Sequence, residues 1–158
     1  VQNSLSQSSV YNLELKIHSN KSKFLKLRRL EYYSEIEQKW LVIKKNTIAK
    51  SDLLFLKLTL LNNDDVYIFF EKSLIMKEEY NITVLLNEEV IYWKQDTNYC
   101  SNAKVLTELK ELENQLLQYS AYQDEGFKLK DKLEIRKFKI KKQKLSYIKK
   151  YCLVERNL

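Results

Sequence analysis

The side chains able to do chemistry are few in this chain. His18 is the sole histidine, and no serine, cysteine or carboxylate motif accompanies it that a general base would need. Its place on the polar side of an alternating segment makes it a solvated strand residue. The two cysteines, Cys100 and Cys152, have no CxxC spacing and no second pair, so neither a zinc site nor a dithiol motif is indicated. Two such cysteines suggest a reducing compartment. Asp64 with Asp65, and Glu88 with Glu89, are adjacent carboxylates in apparent turns, where solvated acids are expected rather than an acid/base pair. Gly126 is the one glycine and proline is absent, which excludes a P-loop, a dinucleotide fingerprint and a nucleophile elbow. The expectation is a non-enzyme without metal or cofactor.

What remains is charge. The chain carries 28 Lys and Arg against 21 Asp and Glu, a net +7. From Lys128 to Lys150 ten lysines and Arg136 face only Asp131 and Glu134. A helix of that composition can neutralise phosphates and release counterions, giving salt-sensitive binding with no sequence preference. Lys137, Lys139, Lys149 and Lys150 are the candidate DNA contacts. The exterior of a self-sufficient coiled coil would mix its signs at the flanking positions. Unmixed lysine points instead to an acidic partner, protein or DNA.

The element that must carry this charge is the last third of the chain. Val105, Leu109, Leu112, Leu116 and Tyr119 recur at alternating spacings of three and four, the seam of a coiled coil. A helix continuous from Ser101 to Cys152 would span roughly 80 Å. It needs a second helix, from another copy or from its own second half. The stripe fails around Gly126, which reads either as a loose stretch in a continuous stalk or as the turn of a hairpin. A hairpin would make a monomeric α+β module. No apolar run approaches the ~20 residues of a membrane span.

Ahead of the helix lies a β head. Residues 1–9 are polar and aperiodic, a disordered leader. Tyr11, Leu13, Leu15 and Ile17 alternate with Asn12, Glu14, Lys16 and His18, as in a half-buried strand. Further strands are expected at KFLKLRRLEYY, QKWLVIKK, VYIFFEKSL and YNITVLLNEE. The leucines at 54, 56, 58 and 60 alternate like a strand, although leucine is a strong helix former. The expected fold class is α+β: a small antiparallel β sandwich or barrel head at 10–98, followed by a long C-terminal coiled-coil helix at 99–158.

That order of elements resembles the scaffold family of non-homologous end joining that carries DNA ligase IV. VYIFFEKSL at 66–74 and YNITVLLNEEV at 80–90 look like that family's last head strands, and KKQKLSYI at 141–148 is similar to its ligase-clamped stalk segment. The resemblance implies a nuclear, non-catalytic homodimer in DNA repair, with parallel stalks zipped through Val105, Leu109, Leu112, Leu116 and Tyr119. It implies a DNA ligase IV-like partner held by Lys141, Lys142, Lys144, Leu145 and Ile148. It further implies a paralogous head-stalk protein docked at Phe70, and non-specific DNA binding. The alternative expectation is a monomeric basic module with a C-terminal helix hairpin, binding nucleic acid or serving a larger complex.

Overall fold

Period-two alternation in the first half of the chain builds a closed barrel. A computed structural model of the chain describes residues 9–18, 20–100, 102–121 and 129–158. The expected leader at 1–9 lies, except for Ser9, outside the described residues, as does Gly126. Two compact units meet in sequence between Tyr92 and Trp93.

The first unit contains β1 (Tyr11–Ile17), β2 (Lys21–Ser34), β3 (Lys39–Val42), β4 (Thr47–Leu60), β5 (Asp65–Lys77) and β6 (Asn81–Leu86). β1 runs antiparallel to β2, β2 to β4, β4 to β5 and β5 to β6. β6 then returns to β1 in parallel, Leu13 opposite Ile82 and Leu15 opposite Val84. Five strands therefore close on themselves and leave no free edge among them. β3 stands outside this ring and pairs with β2 through Glu31 to Ser34.

Alternation decides what fills the interior. Leu13, Leu15, Leu27, Leu30, Leu56, Leu58, Val66, Ile68, Ile82 and Val84 are all at most 1% exposed. Each such side chain stabilises the fold by ~1.5–3 kcal/mol. The leucines of β4 form a strand despite their helix propensity, because Leu54, Leu56, Leu58 and Leu60 all join one core. A helix would scatter a two-residue period around its circumference. The opposite face of β4 and β5 is aromatic. Phe55 stacks on its cross-strand partner Phe69 at 4.5 Å, and Trp40 from β3 lies 4.8 Å from Phe55 and 5.4 Å from Tyr33. Beside it Glu31, 7% exposed, is held by Arg29 at 3.2 Å and Lys57 at 3.5 Å.

A chain with one glycine must turn by other means. Asn20, Asn46 and Asn63 take the left-handed conformation, with φ of 62°, 55° and 69°, the region asparagine tolerates best after glycine. Lys72 is left-handed too, at φ 48°. There the long β4–β5 ribbon turns a corner: Ser51 pairs Ser73 and Leu53 pairs Glu71, but Asp52 and Lys72 do not pair. Phe70 faces the core before the corner and Ser73 and Ile75 are buried after it, so the parity of burial switches. The corner lets one half of the ribbon pair with β2 and the other with β6.

β7 (Tyr92–Gln95), all but its first residue in the second unit, pairs with β8 (Leu153–Arg156), and between them lie α1 (Ala103–Ala121) and α2 (Leu129–Lys150). Asn102 caps α1, its side-chain oxygen accepting from the Lys104 amide at 3.1 Å. The two helices pack on each other in antiparallel register. The Tyr119 hydroxyl donates to Glu134 at 2.6 Å, the Tyr119 ring lies 5.8 Å from Phe138, and Lys142 stands 3.9 Å from Glu113. Cys100, just before α1, is disulfide-bonded to Cys152, just after α2.

This corrects the expected fold class. Among the described residues the chain is mainly β, with two short helices and no long C-terminal coiled-coil helix. A continuous helix would hold Cys100 and Cys152 roughly 80 Å apart, whereas their Cα atoms are 4.4 Å apart. The physical reason is proximity: α2 reaches α1 across the short segment 122–128 at high effective concentration, and a second copy cannot match it. The two cysteines, read from the sequence as suggesting a reducing compartment, are the clasp of that hairpin.

Candidate nucleic-acid interface

Two helices that satisfy each other leave one face of each for solvent, and on α2 that face is cationic. Lys132, Arg136 and Lys139, spaced i, i+4 and i+7, lie along one side of the helix and all are exposed. Lys137, Lys141, Lys149 and Lys150 are exposed as well. Asp131 and Glu134 are half-buried, and Glu134 is engaged by Tyr119 of α1. That hydrogen bond first, with burial and the Glu134 and Asp131 charges adding to it, holds the Tyr119 hydroxyl above its ordinary pKa of 10.0. α1 by contrast mixes Lys104 and Lys110 with Glu108, Glu111 and Glu113. The hairpin therefore has one neutralised helix and one basic helix.

Helix polarity adds to this asymmetry. Asp131 occupies the first turn of α2, and Lys149 and Lys150 the last, the order that suits the helix dipole. The 22 residues of α2 extend ~33 Å, close to one turn of a nucleic-acid duplex. The arrangement can present cations along a phosphate backbone. Among the described residues no group of His, Cys, Asp or Glu could hold a metal ion. Asp65 accepts from Thr59 at 2.8 Å, and Asp64 is tied to Asn62 within the β4–β5 turn.

The expected site residues fall into three fates. Lys137, Lys139, Lys149 and Lys150 are on the surface, as DNA contacts must be. The expected ligase contacts are split: Lys141 is exposed and Lys142 and Lys144 are half-buried, but Leu145 and Ile148 are buried at 8% and 6% exposure within the chain itself. The dimer seam is likewise spent internally. Leu109 and Leu112 are buried at 8% and 4% exposure and Val105, Leu116 and Tyr119 half-buried, on the helix that packs against α2. Phe70, expected at a head-to-head contact, is 3% exposed and part of the barrel core, because its position on β5 shares the parity of Val66 and Ile68. Lys132 and Arg136 are not among the expected DNA contacts. Their helical spacing with Lys139 is present in the sequence.

Residues 12–90, half of the chain and all of the barrel strands but Tyr11, match the family model of the UU051 N-terminal domain. No curated protein matches the chain.

Proposed function

The chain belongs to the UU051 N-terminal domain family, and we propose that it is a non-catalytic module that binds the phosphate backbone of nucleic acid through α2. One observation carries the reading: exposed cations line α2 while both of its carboxylates are half-buried, Glu134 in a hydrogen bond from Tyr119. Binding of this kind is electrostatic and indifferent to sequence, and weakens steeply with salt. The end-joining scaffold reading is not carried forward. It requires a parallel stalk and accessible Leu145 and Ile148, and both requirements conflict with an antiparallel hairpin that buries those side chains.

The test is the salt dependence of binding to a short DNA duplex and to RNA of matched length. Replacing Lys132, Arg136 and Lys139 together by glutamine is expected to flatten the slope of log K against log salt by ~0.9 for each duplex phosphate that is no longer neutralised. Lys104→Gln with Lys110→Gln, on α1, is expected to leave the slope nearly unchanged. Equal effects of the two variants, or no binding at low salt, would overturn the proposal.

A further inference from the structure

At one end of the barrel, where β1 runs out, β2 begins and the β4–β5 ribbon turns its corner, a cavity of about 570 Å³ opens. Lys16, Lys21, Lys50, Lys72 and His18 line it, and among the described residues no carboxylate does. Glu14 is nearby but occupied, accepting from Ser22 at 3.2 Å and lying 3.9 Å from Lys16. Asp52 and Glu71 flank the corner and are not part of the lining. Lys21, Lys50 and Lys72 have no ion pair among the described residues. Like charges brought together around one cavity repel, and nothing in the barrel core requires them to meet there.

A second observation is independent of charge. Ser73 lines the same cavity, is 1% exposed, and its hydroxyl has no hydrogen-bond partner among the described residues. Leaving such a donor unsatisfied is unfavourable by ~1–3 kcal/mol. Its neighbour Lys72 has a left-handed backbone, a conformation unfavourable by ~1–2 kcal/mol for a side chain of this type. Strain and orphaned polar groups gather where a ligand completes the structure.

We propose that this cavity binds a phosphate group, with the lysines supplying charge and the Ser73 hydroxyl donating to a phosphate oxygen. Lysine recognises phosphate as a compact point charge and needs no fork geometry. The volume leaves room for the rest of a small phosphoester, or for the terminal nucleotide of a strand. The site lies in the barrel unit and does not depend on the reading of α2.

The experiment is a titration of the full chain with inorganic phosphate and pyrophosphate, followed by amide NMR. The expected result is saturable binding with shifts grouped on Lys16 to Ser22, Lys50 and Lys72 to Leu74. Lys50→Gln and Ser73→Ala should each weaken it by about tenfold. Lys72→Asn keeps a residue that tolerates the left-handed corner, and should weaken binding while thermal unfolding stays close to wild type. Unsaturable shifts spread over all lysines, or wild-type binding by a folded Lys72→Asn, would overturn the site. Comparison of a mononucleotide with 5′-phosphorylated and 5′-hydroxyl oligonucleotides then assigns the source: preference for the 5′-phosphorylated strand marks a strand end, and equal binding of the mononucleotide marks a free phosphoester. Loss of phosphate binding in the Lys132, Arg136 and Lys139 variant would also refute it, since those cations belong to the other unit.

Discussion

Lys77 shows how far a single residue can run against its usual habit. It ends β5 with 6% exposure, its ammonium donating to the Ile43 carbonyl at 2.6 Å and lying 4.8 Å from the Tyr11 ring centre. The ring attracts the charge, but burial outweighs it and pushes the pKa below the ordinary 10.5. The folded value is then lower than the unfolded one. Between the two the unfolded chain binds more protons, so stability rises with pH across that window, and below it the buried charge is a constant penalty. Urea unfolding of wild type and Lys77→Met from neutral pH upward should show wild type gaining on the variant as pH nears 10.5. A constant gap would mean that the ammonium is not penalised. None of this was legible from composition, because Lys77 reads as one more polar residue after Met76. Burial after the corner at Lys72 follows the shifted parity, and the sequence marks that corner with no glycine or proline.

At the scale of elements, the strands and the seam were legible and their partners were not. Leu13 and Leu15, or Ile82 and Val84, announce a strand face by alternation alone. The parallel return of β6 to β1 leaves no local trace, since register between distant strands is set only when the ring closes. The heptad of α1 shows an apolar stripe but does not say which helix will cover it. Leu109 and Leu112 look the same facing a second copy as facing α2. With the hairpin in place, Leu112→Ala should destabilise the chain by ~2–5 kcal/mol in urea. Replacing Cys100 and Cys152 by serine should remove up to ~4 kcal/mol for a cross-link spanning 52 residues. A reductant should reproduce the second effect in wild type and leave the serine variant unmoved.

On the scale of the whole molecule, the charge run was visible from the start and its orientation was not. Ten lysines and Arg136 between 128 and 150 raise the expectation of a polyanion or acidic partner, and the pairing of Tyr119 with Glu134 shows which way that carboxylate faces. The seam residues Leu109 and Leu112 that would drive a parallel stalk are covered within the chain. Light scattering should therefore give the mass of one 19.1 kDa chain. A dimer whose mass halves on Leu109→Ala would return the seam to an intermolecular role. The disulfide that shuts the hairpin also makes residues 100–152 a covalent ring. A protease that cuts once anywhere inside that ring, at the many lysines of α2 for instance, releases no fragment: both ends stay tethered through sulfur, and the break becomes visible only when the cystine is reduced. The basic helix is thus anchored at its far end by a bond that survives its own scission, and its retention depends on the redox state of the surroundings as well as on the continuity of the backbone.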